Sequence, residues 1–341
     1  MRIPWLDLIT PERHSHPKFK KKKLTHNPFH QGLPKTGSIP RFQRGLPEKR
    51  KIQGVSNVIA VSSAKGGVGK STIAGPSHSH SHAKQRKTIV EPTNTLPLFP
   101  SPANLSLAFA RLGLRSGILD TDIFGPSIPT LFNLSSEPSL TPENLLLPLT
   151  AYGVQTMSIG YLTPPSSAVI WRGPMLLKAI QQLLHSVDWR ASYGGLDVLV
   201  LDLPPGTGDI QLSITQQVEL SGAVIVTTPH TLAIKDAVKG VDMFSKVGVP
   251  LLGLVQNMSV FCCPNCGEST AVFGGSEQTR IMCAEHKMDF LGDVPLHPNI
   301  GEDASRGRPT VVAEPESERA KVFMDVARAL GGKLGLDIGK A

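Results

Sequence analysis

The 341-residue sequence is poor in cysteine and in aromatic residues, and it has no long apolar run. All 4 cysteines lie between Cys262 and Cys283. This distribution excludes a disulfide scaffold and favours a metal or redox site in a reducing compartment. No stretch approaches the roughly 20 apolar residues of a membrane-spanning helix, so we expect no integral membrane segment. Apolar residues still make up 40% of the chain, which is enough for a sizeable core.

Acidic residues are scarce near the N-terminus. Residues 1–51 contain 13 Lys and Arg but 3 Asp and Glu, whereas the remaining 290 residues contain 22 and 24. The basic character therefore belongs to the leader, and the nearly neutral remainder argues against a nucleic-acid partner held by a basic folded surface. We expect residues 1–51 to form a disordered leader: a solvated tail, a nucleic-acid-binding tail or a mitochondrial targeting segment. Asp7, Glu12 and the few arginines are unusual for targeting.

Short apolar runs rich in Val, Ile and Leu begin at residue 55. Helix-like segments separate these runs, as expected for buried strands of a parallel sheet joined by crossover helices. The predicted strands are 55–62, 117–120, 197–203, 222–228 and 250–257. The clearest predicted helices are 174–187, 231–246 and 317–330. The sequence thus predicts an α/β fold with a mostly parallel β-sheet flanked by helices, in one domain over residues 52–335 with a tail at 336–341.

Residues 75–102 do not fit this pattern. They contain five prolines and an alternating Ser-His run, without a helical or strand period. If they are removed, KSTIA joins ANLSLAFARLG in one continuous helix pattern. We interpret the segment as a low-complexity insertion that interrupts the first helix of the domain, or as an intron retained in the gene model.

The most specific motif, KGGVGKST, follows the first predicted strand directly. It is a deviant Walker A phosphate loop, with Ala64 at the first glycine position and an additional lysine, Lys65. Glycines let backbone N–H groups turn inward around phosphate oxygens. We therefore predict an ATP site in which Lys70 bridges the β- and γ-phosphates and Ser71 binds Mg²⁺. The other residues of this predicted site are Gly66, Gly67, Val68, Gly69 and Thr72.

Polar residues lie at the ends of three further predicted strands. Because the carboxyl ends of parallel strands share one edge of the sheet, Asp122, Asp202 and Asn257 are expected beside the phosphate loop. We predict that Asp202 holds Mg²⁺ or its water shell in the Walker B role and that Asp122 positions water or acts as a switch. We also predict that Asn257 contacts the adenine ring. The alternative for each is an ordinary cap of a helix, turn or strand.

Cys263 and Cys266 are separated by two residues. Such a pair places two thiolates on one turn, which is half of the ligand set of a [4Fe–4S] cluster, and a two-fold symmetric dimer would supply the other half. The pair followed by Cys283 and His286 also has the spacing of a tetrahedral zinc site within one chain. The spacing alone leaves both sites open. We interpret the adjacent Cys262 as a bystander.

Seven motifs occur in one order along the chain: KGGVGKST, LDTDIFGPSIP, WRGPM, LDLPPGTGD, QNMS, CPNC and LGDVPL. Together they resemble the Mrp/ApbC/Nubp-like branch of the MinD-type P-loop ATPases, which carry and deliver iron–sulfur clusters. The resemblance extends over residues 27–330 apart from 75–102. The segment that precedes the first strand is most similar to the mitochondrial Ind-type members, which are implicated in assembling respiratory complex I.

The resemblance implies a homodimer with ATP sandwiched between the subunits, in which Lys65 of one subunit reaches the nucleotide of the other. It also implies a [4Fe–4S] cluster that bridges Cys263 and Cys266 of both subunits. The implied partners are iron–sulfur apoproteins, complex I subunits among them, and the implied location is the mitochondrial matrix. Because the resemblance places Cys283 and His286 in an ordinary helix, it disfavours the zinc site.

Two other functions are compatible with a phosphate loop. A spatial-organising ATPase of the ParA/MinD kind would need a basic surface or an amphipathic membrane helix, and the sequence indicates neither. A metabolic enzyme of the dethiobiotin-synthetase kind would have no use for the cysteine pair or the second lysine. We therefore predict an ATP-dependent cluster carrier in which the nucleotide acts as a switch and hydrolysis is slow.

Overall fold

The structure is a computed structural model of the chain. It describes residues 49–63, 101–163, 173–192, 194–263 and 266–338. The predicted leader up to residue 48, the predicted phosphate loop and all of the predicted insertion before residue 101 lie outside the described residues.

One β-sheet forms the centre of the described part of the chain. Its strands are β1 (Val55–Ser63), β2 (Ser116–Asp120), β3 (Leu149–Ala151), β4 (Val154–Ser158), β5 (Leu196–Asp202), β6 (Gly222–Thr227), β7 (Leu251–Cys262), β8 (Ser269–Thr270) and β9 (Phe290–Leu296). They lie in the order β3-β4-β2-β5-β1-β6-β7, and both β8 and β9 pair with β7. The pairs β3–β4 and β7–β8 are antiparallel, and the other pairs are parallel. The predicted mostly parallel sheet is therefore confirmed.

Helices connect these strands and flank the sheet. They are α1 (Ser101–Arg111), α2 (Ile128–Leu131), α3 (Gly173–His185), α4 (Asp209–Gln217), α5 (Thr231–Lys246), α6 (Glu277–Glu285), α7 (Pro298–Ser305), α8 (Thr310–Ala313) and α9 (Glu318–Lys333). Helix α1 packs against β2, β5 and α9, and α5 packs against β6. No helix among these described residues has the length and apolar character that crossing a bilayer requires.

The central strands are apolar along both faces because helices cover them. Every residue of β6 is buried, and so is every residue of β5 except Asp197. Each fully buried Val, Leu or Ile side chain contributes about 1.5–3 kcal/mol, so these strands supply much of the stability. Their apolar character is also the reason that sequence periodicity identified them.

The five predicted strands are confirmed as β1, β2, β5, β6 and β7, and the three predicted helices are confirmed as α3, α5 and α9. In α9 the side chain of Ser317 caps the first turn by accepting a hydrogen bond from Ala320 N at 3.1 Å. The helical pattern predicted to follow the insertion is present in α1, but the helix includes Ser101 and Pro102, which the prediction had placed in the insertion.

Strand β7 is longer than predicted. The prediction ended it at Asn257, whereas the strand continues to Cys262. The backbone is irregular in between: Met258 has φ 54°, and the register with β9 shifts between Asn257 and Phe261. The prediction took Asn257 as the end of the strand because apolar runs of this kind commonly end at Asn, whereas β7 continues beyond the irregularity.

Candidate functional site

The carboxyl ends of β1, β2 and β5 meet at one edge of the sheet. Strand β1 lies between β5 and β6, and in the register Asp202 is paired with both Val61 of β1 and Asp120 of β2. We call this region the nucleotide edge, since the predicted phosphate loop leaves β1 here. Of the predicted site residues, Lys65, Lys70, Ser71 and the rest of the loop lie outside the described residues. The structure does bring Asp122 and Asp202 to the edge that the sequence predicted.

Asp202 contributes both its backbone carbonyl group and its carboxylate to the nucleotide edge. The residue is 3% exposed. Its carbonyl oxygen accepts hydrogen bonds from Thr121 N at 3.0 Å and from Thr121 Oγ1 at 2.7 Å. The chain after β5 then turns against β1, because Leu203 N donates to Val61 O at 3.1 Å and Gly206 N donates to Ser63 O at 3.0 Å. The Asp202 carboxylate is therefore held beside the point where the chain leaves β1.

Gln211 is a buried polar residue of this edge that the sequence analysis missed. It lies in α4 and is 1% exposed. Its Nε2 donates to Ser62 Oγ at 3.2 Å and also to the carbonyl oxygen of Pro204. These bonds join β1, the loop after β5 and α4. No local sequence pattern could have identified Gln211, because its partners Ser62 and Pro204 are brought to it by the fold.

Asp122 and Asp120 have different surroundings, although they are two residues apart. Asp122 is buried, and its backbone N donates to Asp120 Oδ1 at 3.0 Å. Asp120 is fully buried and accepts further hydrogen bonds from the following loop and from β4. A role was predicted for Asp122 but not for Asp120, whose carboxylate holds the loop after β2.

Asn257 lies within β7, where it is paired with Val294 of β9, and it is buried. Strand β7 is separated from β1 by β6. The adjacent Gln256 donates from Nε2 to Asp293 Oδ1 at 2.9 Å and to Ser276 Oγ at 2.8 Å. The predicted contact of Asn257 with adenine stays a prediction.

Asp293 is a half-buried carboxylate in this network. Burial raises its pKa, and the Arg280 guanidinium, 3.6 Å away, and the hydrogen bonds from Ser276 and Gln256 oppose that rise. Arg280 also lies over the Phe290 ring, 4.1 Å from its centroid. These contacts fasten α6 to β7 and β9 near the root of the cysteine-bearing segment.

Cys263 and Cys266 lie on the turn of a hairpin that projects from β7. Strands β7 and β8 pair at Phe261 with Thr270 and at Cys262 with Ser269. Two backbone bonds close the turn: Cys263 N donates to Glu268 O at 2.9 Å, and Gly267 N donates to Cys263 O at 2.8 Å. Cys263 is partly exposed and Cys266 is exposed. We call the described residues 261–263 and 266–270 the cysteine hairpin.

The other two cysteines have different surroundings. Cys262 Sγ is 3.3 Å from Ser269 Oγ across the hairpin. Cys283 lies in α6, packed in the hydrophobic core, and burial raises the pKa of its thiol to about 11 although the charge of Arg280 opposes the rise. A buried thiol with a high pKa is a poor metal ligand and a poor nucleophile.

The alternative zinc site has no support in the part of the chain that the structure describes. Cys283 lies in the ordinary helix α6, as the resemblance implied, and His286 is the residue that ends it. Over residues 49–63, 101–163, 173–192, 194–263 and 266–338, no three His, Cys, Asp or Glu side chains are arranged to hold a metal ion.

Large apolar side chains are exposed beside both regions. Phe124, in the loop that contains Asp122, is 67% exposed. Val272 and Phe273, which follow β8, are also exposed. Exposed aromatic and aliphatic side chains next to functional groups are typical of surfaces that contact another protein.

Comparison with known proteins identifies relatives over most of the chain. Residues 101–331 match a ParA family model described as NUBPL iron-transfer P-loop NTPase. The chain is 46% identical over 288 residues to the iron-sulfur cluster transfer protein NUBPL of Mus musculus, with 84% of this chain and 80% of that protein covered. It is 40% identical over 285 residues to the iron-sulfur protein required for NADH dehydrogenase, mitochondrial, of Arabidopsis thaliana, with 83% and 80% covered.

Solved structures agree with the observed topology. A nucleotide-binding protein in complex with ADP from Archaeoglobus fulgidus is similar with a TM-score of 0.58 and 30% identity, covering 80% of this chain and 94% of that one. The cell division ATPase MinD of Pyrococcus furiosus has a TM-score of 0.53 at 21% identity, covering 81% and 98%. The second likeness concerns the fold alone, and it confirms the predicted MinD type of P-loop fold.

Proposed function

Because the chain belongs to the NUBPL family of iron-transfer P-loop NTPases, a family of iron–sulfur cluster carriers, we propose that it is an ATP-dependent carrier of a [4Fe–4S] cluster. In this proposal two copies of the chain hold the cluster between their cysteine hairpins and deliver it to apoproteins. The observation that carries the proposal is the placement of Cys263 and Cys266, both accessible, on one closed turn.

The turn suits a cargo that must be both bound and released. Two thiolates from one chain leave a cubane cluster half-ligated, and a two-fold axis brings the same two thiolates from a second copy. Cys263 and Cys266 are reachable from solvent, so the thiols of a recipient protein can approach the same iron atoms. The exposed side chains of Val272 and Phe273 adjoin this surface, and they would be covered when a second copy docks.

The nucleotide edge supports the ATP-dependent part of the proposal. Asp202 is held beside the end of β1, where its carboxylate would bind Mg²⁺ together with Ser71. The residues from Gly66 to Thr72 would donate backbone N–H groups to the phosphates, and Lys65 would reach the nucleotide of the second copy. Asp122 would orient the attacking water. ATP and Mg²⁺ fit this edge because it offers buried carboxylates at the carboxyl ends of parallel strands.

Strand β7, whose backbone is irregular at Met258, is separated from β1 by β6 and leads to the cysteine hairpin. Strand β7 contains Asn257, proposed to contact the adenine, and ends at Cys262, next to the first ligand of the cluster. A change in how two copies dock around ATP would therefore reach the cysteine hairpin through β7. ATP acts in this proposal as a switch of the dimer interface, and hydrolysis is slow.

The recipients proposed are apoproteins of respiratory complex I, and the proposed location is the mitochondrial matrix. The names of the two relatives support this, since one is a cluster transfer protein and the other is required for NADH dehydrogenase and is mitochondrial.

We also propose that residues 52–335 are one NTPase domain and that 75–102 are an insertion in it. A mature transcript that lacks the codons for 75–102 would identify the insertion as a retained intron.

Anaerobic cluster reconstitution followed by transfer to an apoprotein tests the proposal. We expect Cys263→Ala and Cys266→Ala each to lose the cluster absorbance and the transfer, because each removes one ligand from both halves of the site. Cys262→Ala is the matched control, since it alters the adjacent thiol of the same hairpin, and it should retain both. Unchanged cluster binding in the Cys263 and Cys266 variants would refute the site.

A further inference from the structure

The Asp120 carboxylate at the nucleotide edge accepts four hydrogen bonds. The residue is 0% exposed. Its Oδ1 accepts a hydrogen bond from Asp122 N at 3.0 Å, and its Oδ2 accepts from Ser127 N at 2.9 Å, Ile128 N at 3.3 Å and Ser158 Oγ at 3.1 Å. A carboxylate is the side chain best suited to accept several bonds at once, because both oxygens are acceptors only.

These bonds close a loop. Asp122 is the second residue and Ser127 the last residue of the segment 121–127 between β2 and α2, and their backbone N–H groups donate to the two oxygens of one carboxylate. Both residues are therefore fixed to the end of β2. The apex of the loop contains Phe124, which is 67% exposed, while Asp122 is buried at its base.

A second set of contacts holds the same loop from the side of β4. Ser158 Oγ donates to Asp120 and also accepts from Gly160 N at 3.1 Å. A Cβ atom added to Gly160 would lie 2.8 Å from Pro129 Cγ and 3.1 Å from Pro126 Cβ. The absence of a side chain at residue 160 thus lets the loop pack closely against the end of β4.

We propose that Asp120 is the positioning residue of the nucleotide edge: it fixes the loop so that Asp122 faces the nucleotide before the nucleotide binds. This inference rests on the proposed role of Asp122 in ATP hydrolysis, and it adds a second residue to that role. The effect is preorganisation, because a loop already in place has no ordering cost when ATP arrives. Asp120 acts through Asp122 and not by touching the reacting atoms.

Amide hydrogen exchange of the full-length protein without nucleotide tests the geometry. In Asp120→Asn the side-chain amide offers one acceptor oxygen and turns an N–H donor toward the other N–H groups. We expect the amides of Asp122, Ser127 and Ile128 to exchange about 10-fold faster or more, with the amides of β1 unchanged. Asp197→Asn is the matched control: this carboxylate also accepts backbone and side-chain bonds, from Arg115, but at the opposite end of β5. It should leave the loop protected.

Steady-state ATP hydrolysis tests how Asp120 acts. We expect Asp120→Asn to lower turnover by about 10- to 100-fold while the affinity for ATP changes little. The double variant Asp120→Asn/Asp122→Asn should be no slower than Asp122→Asn alone, because Asp120 acts only through Asp122. Ser158→Ala removes a single donor to the Asp120 carboxylate, so it should lower turnover less than Asp120→Asn does. This variant replaces Asp120→Asn in both experiments if Asp120→Asn fails to fold.

Unchanged exchange of the three amides in Asp120→Asn, or in Ser158→Ala where that variant replaces it, would overturn the proposal. Additive losses of turnover in the double variant would also overturn it. Neither readout involves an iron–sulfur cluster, so cluster transfer could fail while this proposal holds, and the reverse is equally detectable.

Discussion

The nucleotide edge and the cysteine hairpin lie at the same end of the sheet, yet they are built differently. At the nucleotide edge, Asp120, Thr121 and Gln211 are buried and joined by side-chain hydrogen bonds to three strands and a helix. In the hairpin and the residues that follow it, Cys266 to Gly275 are all exposed, and β8 has two residues. Buried polar networks are rigid when every group is satisfied, whereas exposed backbone opens at low cost.

The difference matches two kinds of task. Positioning water and metal for ATP hydrolysis requires side chains that do not move. Handing over a cluster requires ligands that a second protein can reach. The comparison suggests that substitutions at the nucleotide edge will act through geometry, while substitutions in the hairpin will act through the loss of individual ligands. Substitutions in either region can break that distinction.

Asp202→Asn should have the largest effect on ATP hydrolysis and almost none on the hairpin. The carboxylate is held beside the end of β1, and replacing it with an amide weakens Mg²⁺ binding, so we expect turnover to fall about 100-fold. Cluster content after anaerobic reconstitution should equal that of the wild type. A variant that hydrolyses ATP normally would contradict the Walker B assignment, and one that loses the cluster would contradict the separation of the two regions.

Gly160→Ala should have the next largest effect, through packing alone. The added methyl group would lie 2.8 Å from Pro129 Cγ in α2 and 3.1 Å from Pro126 Cβ in the loop that contains Asp122, so we expect α2 and this loop to shift. We expect turnover to fall about 10-fold and the free energy of unfolding to fall by about 1–3 kcal/mol, measured by urea denaturation. Gly301→Ala is the control, since nothing lies within 4 Å of a Cβ atom there. Equal turnover in the two variants would show that the loop is not tightly packed.

Thiol reactivity should separate Cys266 from Cys283. At pH 8 we expect iodoacetamide to react with Cys266 of the native protein, because this residue is exposed. Cys283 should react only after unfolding, because burial raises the pKa of its thiol to about 11. Mass spectrometry of the labelled peptides measures both. Rapid native labelling of Cys283 would show that α6 is not packed as described.

Burial of the Cys283 thiol also predicts that the free energy of unfolding depends on pH. The pKa of the Cys283 thiol is higher in the folded chain than in the unfolded chain, whose ordinary value is 9.0. The contribution to stability is therefore fully present below pH 9 and is lost as pH rises from about 9 to about 11. Cys283→Ala should lack this part of the decline, which parallel denaturation curves at several pH values would detect.

Much of the fold was predictable because it depends on local apolar runs. The strands β1, β5 and β6 are continuous Val, Ile and Leu segments, and their burial on both faces leaves this signature in the sequence. The helix around Cys283 was expected from the family resemblance and not from an apolar run. Strand β7 was predicted too short because Asn257 was taken as the end of its apolar run, and the left-handed backbone at Met258 that lets the strand continue leaves no local sign in the sequence.

The polar network of the site was not predictable in the same way. Asp120 binds Ser158, 38 residues away, and Gln211 binds Ser62, 149 residues away. Such pairs are set by the order of strands in the sheet, and a single sequence contains no local sign of that order. The motif showed that acidic residues gather after β2, but only the loop geometry distinguishes the anchoring role of Asp120 from the proposed chemical role of Asp122.

The ratio of iron to protein chains, measured together with the mass of the native holoprotein, tests the central claim most directly. Anaerobic native mass spectrometry of the reconstituted protein should give a dimer with roughly four iron and four sulfide per two chains, and Cys263→Ala should give a protein without iron. A monomeric holoprotein that holds its metal within one chain would contradict the account.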